Sequence, residues 1–339
     1  MQPFAYDRVD SAKAAVAAFG QAPAADPQND RQYLAGGTTL FDLMKLDVMR
    51  PLAVIDINAL ERTALGRIET GERGLKLGAM ARMADAAEHP AVKRDYPVIA
   101  QALQLGASQQ IRNMASLGGN VLQRTRCPYF RDTSYAACNK RVPGSGCAAI
   151  AGFHRNHAVL GVSDACIATY PGDFAQALIA LDASVELSGP HGERRVAFAA
   201  LHRAPGDKPQ RETTLAPGEL ITAFTVPAAA WTRRSLYLKV RDRESYEFAL
   251  ASAAVALDLG DGGAVRDARI ALGGVATVPW RAKRAEAALK GKPLDEQAAE
   301  AAADVAFADA RPHRDNAYKV ALGKRTLTRA LLQAAAMEI

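Results

Sequence analysis

Two glycine pairs decide how this chain is organised, and they stand in the stretches Ala35-Gly36-Gly37-Thr38-Thr39-Leu40 and Ser116-Leu117-Gly118-Gly119-Asn120. The first stretch separates a predicted strand at 31–35 from a predicted helix at 40–45. Glycine lets backbone N–H groups approach an anion closely, and a helix N-terminus favours negative charge there. Either stretch alone is also compatible with a tight turn, and neither matches a P-loop or a Rossmann fingerprint. Together, about 80 residues apart, they favour a grip on the two phosphates of one pyrophosphate.

All four cysteines lie within one segment, at Cys127, Cys138, Cys147 and Cys166. No two of them have the Cys-x2-Cys spacing of common zinc knuckles and bacterial ferredoxins. A chain of this length is not a small disulfide-stapled domain, which favours metal binding or redox chemistry. Spacing alone leaves three possibilities open: an iron–sulfur cluster, a structural zinc ion, or cysteines that are unligated or disulfide-bonded.

The cysteine segment is also basic. Residues 124–155 contain six Lys and Arg side chains and a single acid, Asp132. Four thiolates around one metal centre bring net negative charge, which these cations would offset. A basic surface for nucleic acid or for an acidic protein is the alternative interpretation.

Composition sets wide bounds on the class of protein. The 339 residues are 49% hydrophobic and 23% charged, with a net charge of +6, which is typical of an ordinary globular chain and excludes wholesale disorder. No apolar run approaches the ~18 residues of a membrane-spanning helix. The first eight residues lack a charged region followed by an apolar run, so we expect no secretory signal in this chain. Export together with a signal-bearing partner stays possible.

The alternation of predicted strands and helices indicates an α+β protein in about three lobes. Helices are predicted at 281–290, 295–309 and 315–335, after a boundary near Pro227. We therefore expect a first domain at 1–230, with lobes at about 1–58 and 59–230 and an insertion at about 121–168. A C-terminal α+β domain is expected at 231–339.

Other polar residues carry weaker signals. His154 and His157 are potential ligands, although a solvated loop is the commoner explanation. Lys239 begins an alternating basic strand that can face a phosphate, yet an exposed strand edge is again commoner. We find no Ser-His-Asp set, zinc-protease motif or paired catalytic carboxylates, and so predict no catalytic residue. A protein that only relays electrons needs none, because its cofactors carry the chemistry.

Taken together, the two glycine stretches resemble the flavin loops of a known family. This family is the FAD-binding medium subunit of the molybdenum hydroxylases, the xanthine dehydrogenase and carbon monoxide dehydrogenase group. The resemblance spans essentially the whole chain and includes Ile111-Arg112-Asn113 ahead of the second stretch, with Ser116 where the family usually has threonine. It implies a two-lobed FAD-binding domain of the molybdopterin-dehydrogenase type. The FAD-binding residues that it implies are Leu34, Ala35, Gly36, Gly37, Thr38, Thr39, Leu40, Ser116, Gly118, Gly119, Asn120, Asp173, Ile221 and Lys239. The pyrophosphate is expected on the amides of 36–40 and 116–120, a cofactor hydroxyl near Asp173, and the flavin near Lys239.

The cysteine insertion is absent from most members of that family. Its sequence is most similar to the insertion in the FAD subunit of the periplasmic aldehyde oxidase, which holds an extra [4Fe–4S] cluster, and a similar insertion exists in 4-hydroxybenzoyl-CoA reductase. The resemblance implies that Cys127, Cys138, Cys147 and Cys166 are the four cluster ligands.

The function implied by the resemblance is electron transfer within a heterotrimer. A large partner subunit with a molybdenum cofactor would oxidise an aldehyde to a carboxylic acid. Electrons would pass through [2Fe–2S] clusters of a small partner subunit to FAD in this chain, and then to an acceptor. The same subunit type in a xanthine dehydrogenase or hydroxybenzoyl-CoA reductase complex is an alternative, and a zinc-stabilised basic module that binds nucleic acid or protein is a remote one. Localisation is expected to be periplasmic by co-export, or cytoplasmic.

Overall fold

A three-stranded parallel sheet, in the order β1-β3-β2, forms the first of three structural units. The computed structural model describes residues 1–20 and 30–339. The elements of the first unit are β1 (Ala5–Arg8), α1 (Ala12–Gly20), β2 (Arg31–Leu34), α2 (Leu40–Lys45) and β3 (Ala53–Asp56). Parallel strands bring their carboxyl ends to one edge, which is where ligands bind in such sheets. The first glycine stretch leaves β2 at this edge.

The second unit is a five-stranded antiparallel sheet in the order β4-β5-β8-β6-β7, with helices packed on it. The cysteine segment is irregular, as predicted, apart from two helices of four residues each. The elements of the unit are β4 (Ile68–Gly71), β5 (Gly74–Gly78), α3 (Met83–Glu88), α4 (Pro90–Asp95), α5 (Pro97–Gln104), α6 (Gln109–Met114), α7 (Leu117–Val121), α8 (Pro128–Arg131), α9 (Ala148–Ala151), α10 (Phe174–Ala180), β6 (Ser184–Gly189), β7 (Gly192–Ala197) and β8 (Leu220–Pro227).

The third unit is a four-stranded antiparallel sheet in the order β12-β11-β10-β9, covered by the three C-terminal helices. Its elements are β9 (Ser235–Val240), β10 (Ala251–Leu259), β11 (Val265–Gly273), β12 (Trp280–Arg281), α11 (Lys283–Leu289), α12 (Glu296–Ala306) and α13 (Tyr318–Ala335). Short 3-10 helices lie at Asn58–Arg62, Ala64–Gly66, Phe198–Ala200 and Asp261–Gly263.

Strand β10 joins the second and third units because its two faces enter different cores. Ala254 and Ala256 pack into the core of the second unit, whereas Ala253, Val255 and Leu257 pack under the C-terminal helices. Successive side chains of a strand point to opposite faces. Because both faces of β10 are covered, its sequence is a continuous apolar run rather than an alternation of apolar and polar residues.

The mixed helix and sheet composition confirms the predicted α+β class. The structure differs from the prediction at 116–120, which forms the start of helix α7 rather than a loop, and at β7 and β8, where no strand is predicted. No helix within residues 1–20 and 30–339 is long and apolar enough to cross a membrane.

Candidate functional site

Two cavities meet at the first glycine stretch. The loop cavity, of about 320 Å³, is lined by residues 35–40, by Ser116 and Gly119, and by the segment 210–219. The lysine cavity, of about 440 Å³, is lined among others by Asn120, Asp173 and Lys239. Thr38, Thr39 and Ala115 border both cavities. An elongated ligand can therefore extend from one cavity into the other.

The first glycine stretch offers free backbone donors. None of the N–H groups of 36–40 donates to another acceptor among the described residues. Gly37 has a φ of +71°, which an L side chain rarely adopts. Thr39 stands at the N-cap of α2, yet its side chain makes no capping hydrogen bond. Free amides and a free hydroxyl beside a cavity suit a phosphate group.

The second glycine stretch has already used its amides at 117–120, which corrects the sequence prediction for those four residues. The N–H groups of Leu117 and Gly118 donate to the carbonyls of Ala81 and Ala79 at 3.0 and 2.8 Å. The Gly119 N–H donates to the Ser116 hydroxyl at 3.2 Å, which caps helix α7. This stretch therefore offers fewer unused backbone donors to the cavities than the first one does.

Two buried side-chain oxygens next to the cavities lack a hydrogen-bond partner among the described residues. One is Oδ1 of Asn120, which borders the lysine cavity, and the other is Oε1 of Gln210, which borders the loop cavity. A buried polar atom without a partner is costly, so a ligand that supplies a donor would be favoured at each place. Gln210 is absent from the sequence prediction, because no motif surrounds it.

A buried ion pair lies at the wall of the lysine cavity. Nζ of Lys239 donates to Oδ2 of Asp173 at 2.8 Å and to the carbonyl of Leu105 at 3.0 Å. The Tyr237 hydroxyl donates to the other carboxylate oxygen of Asp173 at 2.6 Å. Burial, together with the Asp173 charge, raises the pKa of Tyr237 well above its usual value. Lys239 is 1% exposed in its side chain, so the interpretation of this strand as a solvent-facing edge is wrong at Lys239.

Three residues predicted to contact the cofactor do not line either cavity. Leu34 and Ile221 are buried in the apolar cores behind them. Gly118 is packed so closely that an added Cβ would lie 3.1 Å from the Cβ of Ala79. Their observed role is to support the walls of the site.

The four cysteines line one small cavity, which we call the thiol cavity. The remaining lining side chains include Phe130, several alanines and Lys140. Cys138 and Cys147 pair as an antiparallel bridge, and all four cysteines are free thiols. Burial raises the pKa of the Cys127 thiol to about 12 and that of Cys166 to about 11.

The thiol cavity does not resemble a site for a single ion. Among residues 1–20 and 30–339, no three His, Cys, Asp or Glu side chains form a group that would hold one metal ion. A cubane cluster requires a different arrangement of ligands. Each thiolate binds a different iron, so the four ligands surround a volume rather than a point. Two buried and two half-buried thiols around one cavity fit that donor set. Iron would ionise the Cys127 and Cys166 thiols, which burial keeps protonated.

The basic residues around the cysteines are paired with acids from elsewhere in the chain. Asp42 of α2 accepts hydrogen bonds from Arg126 at 3.1 Å and from Arg131 at 2.8 and 3.0 Å. Hydrogen bonds from Arg131 are the main reason why the pKa of Asp42 lies below its usual value.

A second acid pairs with the same segment from the side of the loop cavity. Glu212 accepts from Lys140 at 2.8 Å and from Arg124 at 3.3 and 3.4 Å. Burial alone would raise the pKa of Glu212, but the Arg124 and Lys140 charges outweigh it and hold the pKa at about 2. Asp42 and Glu212 therefore each pair with two cations of the segment and offset part of its positive charge.

His154 and His157 are buried, at 4% and 3% exposure, so the prediction of a solvated loop is wrong. His154 lies between the carbonyl of Ala149 and the N–H of Asp315. His157 contacts Cys127 instead, with 3.2 Å between Nε2 and Sγ. Burial, with a further contribution from the charge of Lys319, lowers the pKa of His157 to about 4.

Sequence comparison defines the class to which this fold and site belong. Residues 2–229 match the family described as the FAD binding domain in molybdopterin dehydrogenase. Residues 236–334 match the CO dehydrogenase flavoprotein C-terminal domain. The chain belongs to the FAD-binding medium subunits of the molybdenum hydroxylases, which confirms the predicted family.

Individual relatives cover nearly the whole chain. The aldehyde oxidoreductase FAD-binding subunit PaoB of Escherichia coli K12 is 47% identical over 338 residues, which is 99% of each chain. The carbon monoxide dehydrogenase medium chain of Hydrogenophaga pseudoflava is 29% identical over 333 residues, covering 97% of this chain and 96% of that one. A solved structure of carbon monoxide dehydrogenase from the same organism aligns with a TM-score of 0.74 at 30% identity, covering 99% and 98% of the two chains. Reconstituted CO dehydrogenase from Oligotropha carboxidovorans aligns with a TM-score of 0.76 at 26% identity over 99% of both chains.

Proposed function

We propose that this chain is the FAD- and [4Fe–4S]-carrying subunit of a heterotrimeric molybdenum enzyme that oxidises aldehydes to carboxylic acids. The observation that carries the proposal is the convergence of all four cysteines on one cavity in a chain 47% identical, end to end, to an aldehyde oxidoreductase FAD-binding subunit. Electrons would leave the complex through FAD to an acceptor.

The loop and lysine cavities together would hold FAD. The free amides of 36–40 would bind its pyrophosphate, and Gln210 would supply an acceptor in the same cavity. Asn120, Asp173 and Lys239 border the second cavity, where the flavin ring would lie. Bound flavin accepts electrons singly and releases them in pairs, which matches one-electron clusters to a two-electron acceptor. The buried Lys239–Asp173 ion pair lies at that wall, where each side chain balances the charge of the other.

The thiol cavity would hold the [4Fe–4S] cluster on Cys127, Cys138, Cys147 and Cys166. Support comes from the donor set, from the apolar lining, and from the Ala168 N–H, which lies 3.4 Å from Sγ of Cys166. Hydrogen bonds from backbone amides to thiolates are a common way to stabilise such clusters.

A large molybdenum-cofactor subunit and a small [2Fe–2S] subunit are the proposed partners. A xanthine dehydrogenase or a hydroxybenzoyl-CoA reductase complex remains the alternative, because the substrate would bind in a partner chain. Assays of the complete complex with an aldehyde, xanthine and an aromatic acyl-CoA would decide between them. We propose periplasmic localisation by co-export, which cell fractionation of the intact complex would test against a cytoplasmic location.

The first experiment is an anaerobic ultraviolet–visible spectrum of the purified full chain, with flavin, iron and zinc counted on the same sample. We expect one FAD and about four iron atoms per chain. Flavin without iron would refute the cluster but keep the family. Zinc without flavin, together with salt-dependent binding to DNA or RNA, would favour the basic binding module instead.

A further inference from the structure

The segment 154–158 crosses beneath the thiol cavity and carries two buried histidines. Only one of them reaches a cysteine: Nε2 of His157 lies 3.2 Å from Sγ of Cys127. The ring of His154, three residues earlier, is occupied by backbone groups of Ala149 and Asp315. His157 therefore contacts a cysteine and His154 does not, so a variant of His154 can serve as the control for a variant of His157.

The His157 contact has the geometry of a hydrogen bond to sulfur. A thiolate only accepts hydrogen bonds, so Nε2 must carry the proton when Cys127 is ionised. The other ring nitrogen, Nδ1, is buried without a hydrogen-bond partner among the described residues. No hydrogen bond from a described residue to Nδ1 holds the ring in another orientation. Within the described part of the chain, Sγ of Cys127 is the one hydrogen-bond partner of the ring.

Lys319 in the first turn of α13 and Asn316 just before that helix fix the backbone on which His157 stands. Nζ of Lys319 donates to the carbonyls of Asn156 at 3.2 Å and Gly274 at 2.7 Å. The side-chain amide of Asn316 donates to the carbonyls of His157 at 3.4 Å and Ala158 at 3.1 Å. Lys319 is 1% exposed and Asn316 is fully buried, so these bonds form in a dry environment. The backbone that carries His157 cannot move away from Cys127 without breaking them.

We propose that His157 is an outer-shell positioning residue that donates its Nε2–H to the Cys127 thiolate and thereby raises the reduction potential of the cluster. This inference rests on the proposed [4Fe–4S] site. One-electron reduction adds one negative charge to the cluster and its thiolates, with no bond made or broken. A hydrogen bond to a thiolate stabilises the more negative state more strongly, so its loss makes reduction harder.

The test is a potentiometric titration of the intact complex, in which the cluster is followed by electron paramagnetic resonance. His157→Phe removes the donor and keeps a buried ring, and His154→Phe is the matched control. We expect the equilibrium constant for one-electron reduction to fall about five- to tenfold in H157F and to stay within about twofold in H154F. His157→Gln retains an N–H donor and should recover much of the wild-type value.

Unchanged potentials in H157F with four irons retained would overturn the proposal, as would an equal shift in H154F. A second measurement covers the case in which H157F loses iron. In wild-type protein labelled with ¹⁵N-histidine, pulsed resonance spectra of the reduced cluster should show coupling to one histidine nitrogen, and absence of that coupling would refute the hydrogen bond. A wild-type complex without iron would instead refute the proposed cluster itself.

Discussion

Gly36 is the position at which the first glycine stretch touches Met114 and Ala115, which lead into the second one. A Cβ added to Gly36 would lie 1.9 Å from the carbonyl oxygen of Met114 and 2.6 Å from its carbon. Both are backbone atoms, so no side-chain rotation relieves the overlap. Gly36→Ala is therefore a small chemical change that forces the stretch 35–40 away from residues 114–116.

The structure sets the size of that displacement. Cβ atoms essentially never come within 3.0 Å of another heavy atom, so the two stretches must separate by about 1.1 Å, the difference between 3.0 and 1.9 Å. Overpacking of this kind costs roughly 1–3 kcal/mol of folding free energy. A cost of that size taken from FAD binding lowers the affinity tenfold for each ~1.4 kcal/mol. We expect the affinity for FAD to fall about 10- to 100-fold.

The assay is a titration of the purified full chain with FAD, followed by quenching of flavin fluorescence. Thermal unfolding without FAD separates the stability cost from the binding cost. Gly71→Ala is the matched control, since an added Cβ there has no atom within 4 Å. If G36A bound FAD as tightly as G71A, the contact between the stretches would not shape the site.

Three further substitutions test the charges and the thiols. The folded state lowers the pKa of Glu212 to about 2, so the Glu212 charge stabilises the fold above pH 4.5 and this contribution is lost as pH falls towards 2. Glu212→Gln should remove that contribution, and the unfolding free energies of wild type and variant should therefore converge in acid. Asp173→Asn leaves the buried Lys239 charge unpaired, and urea unfolding without FAD should show a loss of roughly 3–5 kcal/mol, partly recovered when Lys239→Met is added. Cys147→Ser should abolish the iron content and its visible absorbance while FAD stays bound, since Cys147 borders the thiol cavity but neither of the other two.

Elements with a strong local pattern were predictable from the sequence. Helix Leu40–Lys45 has the predicted bounds, because the glycine pair before it marks where it begins. Strand β8 (Leu220–Pro227) is different, since it lies between β5 and β6 in the centre of its sheet. Its neighbours are distant in sequence, and nearby prolines and glycines suggest a boundary rather than a strand.

The candidate site likewise combines local features, which the sequence reveals, with contacts between distant residues, which it does not. Glycine stretches and clustered cysteines are local features, and the structure places them beside cavities. Asp42, Glu212 and Asn316 meet the cysteine segment across separations of more than 70 residues, and no spacing rule reveals such partners. His154 and His157 lie in a polar stretch that Asp315 and Asn316 contact just before helix α13, about 160 residues later. Polarity alone therefore predicts exposure where tertiary packing produces burial.

The cysteine segment is ordered by ties to all three units. Long irregular segments carry a large entropic cost and are uncommon unless they have a function. Asp42 holds the segment from the first unit, Glu212 holds it from the second, and Asn316 with Lys319 holds it from the third. Asp42 also borders the lysine cavity, and Glu212 borders the loop cavity. Because these acids are shared, we expect ligand affinities at the thiol cavity and at the other two cavities to influence each other to a modest degree, and any such coupling is reciprocal.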